Sequence, residues 1–229
     1  MSGPSAELGP PPALISWSSG KDSTYALSEV RRTRVVRPVG LLTTVTETFG
    51  RVSIHGVREE LLRAQAEALD LPLTIVRLPY PCPNEVYEQR MRRALDSARS
   101  AGIRHVVFGD LFLEDIRRYR ESRMSEARME CVFPLWHRPT PELAKEMILS
   151  GLRARLVCID PRVLPRSFAG RAFNEQLLTE LPAGVDPCGE RGEFHTFVTH
   201  SPLFRSPVVV RQGKTVDRDG FVFADFQPA

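Results

Sequence analysis

Apolar and β-branched runs at residues 13–17, 39–45, 73–78 and 105–109 are each short enough for one buried strand, and helical spacing fills the gaps between them. Residues 22–32 read as a helix after the first run. Residues 57–69 set Val57, Leu61, Leu62, Ala64, Ala68 and Leu69 at helical intervals. A long helix is predicted over 84–101, with Asn84 as N-cap and Gly102 closing it. Strands separated by helix-length segments predict an α/β fold with a parallel sheet and right-handed crossovers. Ligands of such sheets bind beyond the carboxyl ends of strands, so the loops after the first, second and fourth runs are where chemistry belongs.

Past residue 128 the pattern changes. A Phe-Pro-Leu-Trp segment at 133–136, a helix over 141–150, a strand around Val157 and a Pro/Gly-rich stretch at 181–192 follow. Residues 208–216 and 221–226 read as a terminal hairpin. These features divide the chain into a nucleotide-type α/β domain at 13–129 and a smaller α+β domain at 130–229. Residues 1–12, rich in Pro, Gly and Ser, read as a disordered tail without the basic and apolar regions of a signal peptide.

A chain of 229 residues with 42% apolar content can bury one large core or two modest ones. Its net charge of +3 is too small to argue for nucleic acid or a membrane surface. No apolar run approaches the length of a membrane span, and a cytoplasmic protein is expected. The cysteines, Cys82, Cys131, Cys158 and Cys188, are widely spaced without a CxxC, which supports neither a zinc ribbon nor a dithiol redox motif.

The first strand runs into Ser18, Ser19, Gly20, Lys21, Asp22 and Ser23. Small residues at a strand-to-helix turn let backbone N–H groups point inward, and the helix start adds orphan donors and a positive dipole end. Such a turn is a cradle for phosphate. It is not the ordinary P-loop, which needs a glycine where Ile15 stands and Ser or Thr where Asp22 stands. The hexapeptide resembles the SGGxDS loop of the PP-loop ATP pyrophosphatases. That resemblance implies a HUP-like (Rossmann-like) nucleotide-binding domain that grips the pyrophosphate end of ATP and transfers AMP.

Residues 186–197 form a second dense motif, with Gly189 and Gly192 flanking Glu190 and then Glu193 and His195 at alternating spacing. If a strand runs over 193–198, Glu193, His195 and Phe197 share a face. Spacing alone favours a turn and an edge strand whose polar residues face water. The CGExGEFHTF pattern, standing after the SGKDS loop and the Phe-Pro-Leu-Trp segment, resembles the diphthine–ammonia ligase family. The likeness runs over about residues 14–204. Segments 52–58 and 109–120 look like its bacterial branch, and bacteria as a class lack diphthamide, which leaves the carboxylate open.

What the resemblance implies is an ATP-dependent, AMP-forming amide ligase. In the family, a carboxylate of diphthine on elongation factor 2 is adenylated and ammonia then displaces AMP. Carried over, Ser18, Ser19, Gly20 and Ser23 would hold the leaving pyrophosphate, Lys21 would offset its growing charge and Asp22 would help position Mg2+. Glu190, Glu193 and His195 would present the acceptor or the ammonia. His55, Gly109 and Asp110 are expected at the nucleotide, with Gly109 also readable as a close-packing glycine. Arg120 is the expected substrate or phosphate ligand among Arg117, Arg118, Arg120 and Arg123, which share a helix starting near Leu113. Trp17 and Trp136 are expected in the core. The expected partners are ATP, ammonia and a carboxylate borne on a small molecule or a protein, with no membrane and no nucleic acid, and assembly into a homo-oligomer stays open. Two rivals are a tRNA-modifying PP-loop enzyme and a module that binds adenine nucleotide without turnover.

Overall fold

A computed structural model describes residues 9–229. Five parallel strands, β4 (Leu73–Leu78), β2 (Arg37–Thr46), β1 (Pro12–Ser16), β5 (His105–Val107) and β6 (Glu130–Val132), lie side by side in that order. A two-residue strand, β3 (Arg51–Val52), turns back antiparallel on the end of β2. The chain winds outward from β1 to one side and then resumes at β5 on the other. A switch point therefore opens between the ends of β1 and β5, beside the expected loop.

Side chains alternate between two cores, as the strand period requires. Ala13, Ile15, Leu41, Val45 and Val107 join one, while Leu14, Leu42, Val106 and Phe108 join the other. The first core is shared with α1 (Lys21–Thr33), α2 (Glu59–Leu69) and the whole second sheet, so a single continuous core spans both halves of the chain. The second core lies under α3 (Asn84–Ser100) and α4 (Glu114–Glu126). Both faces are covered, which explains why the parallel strands read as near-continuous apolar runs.

Several boundaries differ from the sequence expectation. Asn84 is the first helical residue of α3 rather than its cap; Pro83 takes the cap position in extended conformation, and its carbonyl accepts the Tyr87 N–H at 3.1 Å. Pro12, expected in the tail, opens β1 opposite Arg37. Of that tail, residues 1–8 lie outside the described residues. β6 follows the expected 129/130 boundary yet pairs with β5, so the first sheet continues past it.

The second sheet is antiparallel. β7 (Arg153–Ile159) is its centre, pairing with β9 (Phe194–His200), β8 (Ala172–Phe173) and β11 (Phe221–Pro228), which pairs in turn with β10 (Val210–Arg218). The Asp219-Gly220 turn, both residues at positive φ, closes the terminal hairpin in the way two-residue loops favour. α5 (Thr140–Leu149) and α6 (Glu175–Glu180) complete the fold, the latter capped by the Asn174 side chain, which accepts the Leu177 N–H at 2.9 Å.

One ionic tie joins the sheets. Asp225 of β11 meets Arg51 at 2.9 Å and Arg58 at 2.7 Å, on either side of the segment that carries His55. Burial pushes the Asp225 carboxyl up, but hydrogen bonds from Arg58, Gln227 and Arg51 outweigh it and hold it down at about 2. A depressed carboxylate stabilises the fold above its ordinary range and loses that contribution as pH falls through the native value. Asp225→Asn should therefore cost about 1–2 kcal/mol at neutral pH. The deficit should close as pH falls from about 4 towards 2, read by urea denaturation across that range. Equal stability of the two proteins at neutral pH would contradict the tie.

Candidate active site

Beyond Ser16, Trp17 N–H still donates to the Leu42 carbonyl at 2.8 Å, and then the chain leaves the sheet. Ser19 turns it with φ of 68° and is fully buried, and Gly20 caps α1 in extended conformation. The Ser18 hydroxyl accepts the Gly20 N–H at 3.3 Å and lies 3.2 Å from the Ser23 hydroxyl, which donates to the Gly20 carbonyl at 3.0 Å. Gly109, just past β5, backs this turn: a Cβ there would lie 2.8 Å from the Asp22 carbonyl carbon. Close packing thus accounts for that glycine.

The second motif docks directly on the loop. Val198 N–H donates to the Ser19 carbonyl at 3.0 Å, and Lys21 N–H donates to the Thr196 hydroxyl at 3.0 Å. The Lys21 side chain is 2% exposed, and its ammonium lies 5.6 Å from the Phe173 ring centroid and 5.4 Å from that of Phe194. Its ammonium donates to both Asp22 oxygens at 2.9 Å and to the Cys188 carbonyl. Burial opposes that charge, but Asp22 and the neighbouring Cys188 and Glu190 outweigh it and lift the Lys21 pKa above its ordinary value. Lys21 is therefore an ammonium.

Asp186 shapes the turn that meets it, accepting from Cys188 N–H at 3.0 Å and Glu190 N–H at 3.3 Å. Gly189, at φ of 67°, lies where a Cβ would meet the Phe194 carbonyl oxygen at 2.8 Å, so only glycine fits. Glu190 then reaches across to the first domain, where one oxygen accepts the Leu111 N–H at 2.8 Å. Burial, with Asp22 and Asp110 nearby, pushes its carboxyl up to about 7. A carboxyl titrating there is matched to proton transfer at neutral pH.

His55 and His195 meet with ring centroids 4.5 Å apart. Burial and the Lys21 charge lower His195 to about 4, and burial, His195 and Lys21 put His55 well below its ordinary value. Both rings are neutral at pH 7. His55, Trp17, Ser18 and Arg120 line a cavity of about 630 Å3, together with residues of the sheet, α3 and α4. That volume is typical of a small-molecule site. Its floor is apolar, with Leu42, Met91, Leu95, Val106 and Phe108. Arg120 lies over the Phe108 ring at 4.7 Å and pairs with Asp110 at 2.8 Å.

Three expectations are corrected. Lys21 does not face the cavity, because the Cys188 carbonyl and two aromatic rings hold its ammonium beneath the loop. Glu193 precedes β9, and its oxygens are occupied by the Asp186 N–H at 3.0 Å and the Arg191 N–H at 2.9 Å; it closes the turn, and His195 is left without it as a strand-face neighbour. Trp136 is half-buried under the Arg117 guanidinium at 4.7 Å, whereas Trp17 is in the core. Arg117, Arg118 and Arg123 pair with Glu121, Asp115 and Glu88. Thr196, Asp186, Gln65 and the Cys188 carbonyl were not predicted; only their closeness to the two motifs, or in Gln65 a polar residue inside a helix's apolar stripe, hinted at them.

Among the described residues no three His, Cys, Asp or Glu side chains form a metal cage. A magnesium ion carried on nucleotide phosphates needs only one or two carboxylates, and Asp22, with its side chain 29% exposed, has the oxygens for that role. Among the same residues no helix is long and apolar enough to cross a membrane.

These elements define a Rossmann-like α/β protein with an anion-type loop at its switch point, closed by a second sheet whose glycine-rich turn is bonded to that loop. The described family domains agree: the diphthamide synthase N-terminal domain matches residues 13–129 and the diphthamide synthase C-terminal domain matches residues 140–223. The chain belongs to the diphthamide synthase family. It is 34% identical over 118 residues to a diphthine–ammonia ligase of Danio rerio, covering 49% of this chain and 46% of that protein. The human diphthine–ammonia ligase is 31% identical over 118 residues, covering 49% and 44%. Each match thus covers less than half of the relative's own length.

Proposed function

We propose that the chain is an ATP-dependent, AMP-forming ligase that adenylates a carboxylate and amidates it with ammonia, as the names of its relatives suggest. The observation that supports this reading best is the docking of the glycine-rich turn on the first domain, through Lys21 of the phosphate-type loop to Cys188 and through Glu190 to Leu111 in the segment after β5. Chemistry at the α-phosphorus needs nucleotide and acceptor side by side, and this seam supplies both walls.

In the proposed reaction the adenosine lies in the cavity over Leu42 and Phe108, with its phosphates at Ser18 and the start of α1. A carboxylate oxygen of the acceptor attacks the α-phosphorus, and the bond to the bridging oxygen breaks, releasing pyrophosphate. Magnesium, when bound, offsets charge on the phosphate oxygens. Glu190, as carboxylate, takes a proton from ammonium; the resulting ammonia attacks the acyl carbon, the bond from that carbon to the adenylate oxygen breaks to release AMP, and the surplus proton on nitrogen passes to water. Neutral His55 and His195 orient polar groups without adding charge.

The acceptor is proposed to be diphthine on a protein and the setting the cytoplasm. A tRNA-modifying reading is less well supported: all four cysteines are free and well separated, and burial pushes the thiols of Cys131 and Cys158 up to about 12. To test the adenylate, the acceptor carboxylate is labelled with 18O and AMP is analysed by mass spectrometry. One 18O per AMP is expected. AMP without label, formed alongside amide, would rule out attack by the carboxylate.

A further inference from the structure

Gln65, in α2, belongs to neither motif, yet it is fully buried and its amide makes three hydrogen bonds. Its oxygen accepts the Trp17 indole N–H at 2.9 Å. Its nitrogen donates to the Ser19 carbonyl at 3.1 Å and to the Val198 carbonyl at 2.7 Å. The amide orientation follows from chemistry: an indole N–H can only donate and a carbonyl can only accept. One side chain therefore joins α2, the phosphate-type loop and β9.

Its partner in the loop is the strained residue. Ser19 has φ of 68°, a left-handed conformation that is unfavourable for a residue with a Cβ. Its carbonyl is held twice, by Gln65 and by the Val198 N–H at 3.0 Å. We infer that Gln65 is a positioning residue for the nucleotide: it keeps Ser19 left-handed, and so keeps the loop open to phosphate, without touching substrate itself. The inference rests on the ATP reading of the loop.

Gln65→Met keeps the length of the side chain and removes all three hydrogen bonds. Equilibrium dialysis with ATP should show the dissociation constant rising about tenfold or more, because Ser19 loses one of the two hydrogen bonds that hold it left-handed. Adding Ser19→Gly, which takes positive φ freely, should recover most of the affinity. It should not recover Tm, because the Trp17 N–H and Val198 carbonyl stay unpaired. Where Gln65→Met does not fold, Gln65→Leu is read the same way; it too offers the Ser19 and Val198 carbonyls no donor. Wild-type protein that binds no ATP overturns the nucleotide reading and this inference with it. Wild type that binds while folded Gln65→Met binds equally, or a double variant no tighter than Gln65→Met, overturns the positioning role alone.

Discussion

Replacing Lys21 by Met should reduce turnover by a factor of about 100–1000 and destabilise the protein by about 1–3 kcal/mol. Lys21 is 2% exposed, and its ammonium is shared by the Asp22 carboxylate and the Cys188 carbonyl. Methionine fills nearly the same volume but leaves the part-exposed Asp22 carboxylate without its counter-charge and frees the turn that presents Glu190. Arginine should restore little, since the rings of Phe173 and Phe194 bound a slot suited to a narrow stem. The comparison needs kcat measured on folded protein, with stability from urea denaturation. Turnover within a few-fold of wild type would show that loop and turn act independently.

Glu190→Gln should remove a limb of the pH–rate profile. If Glu190 is the base, kcat of the wild type rises with pH through about 7. The two histidines contribute nothing in that interval, because both are neutral well below it. Glutamine can still accept the Leu111 N–H, so the local fold survives. Turnover should fall by a factor of about 100–10,000 and the rise through neutrality should vanish. Stability should move the other way. A carboxyl raised from 4.5 to about 7 binds its proton more tightly in the native state, so wild-type stability declines as pH climbs through that window. The variant, free of that titration, should gain on wild type at about pH 8 and lose its advantage below about pH 4.5. A pH–rate profile unchanged in shape would remove Glu190 from proton transfer.

The parallel sheet was legible because strands buried on both faces cannot alternate, and Leu14, Leu42 and Val106 belong to a different core from Ile15, Leu41 and Val107. The loop was legible because small residues at a strand-to-helix turn have few other uses. The two-residue strands were not: β3 and β8 are too short to carry a period and form against the long strands β2 and β7. β6, three residues long, carries no apolar run of its own and pairs with β5, whose run was readable. Asn84 misled because its cap propensity lost to Pro83, whose fixed φ already suits a helix entry.

In the site, residue types were readable and directions were not. Glu190 and Glu193 look alike in the chain, but one crosses to the Leu111 amide while the other closes its own turn. Lys21 looked like a phosphate ligand, and the structure turns it onto the Cys188 carbonyl, a backbone group that no side-chain pattern announces. Gln65 stood out only as a polar residue in an apolar stripe, and its role was unreadable for a related reason: its partners Ser19 and Val198 are 46 and 133 residues away in the chain.

Which phosphorus the protein attacks decides the matter. ATP labelled at its α-phosphorus, incubated with magnesium, ammonium and a diphthine-bearing acceptor, should give label in AMP and an equal amount of unlabelled pyrophosphate. Label recovered in ADP, with free phosphate beside it, would contradict it.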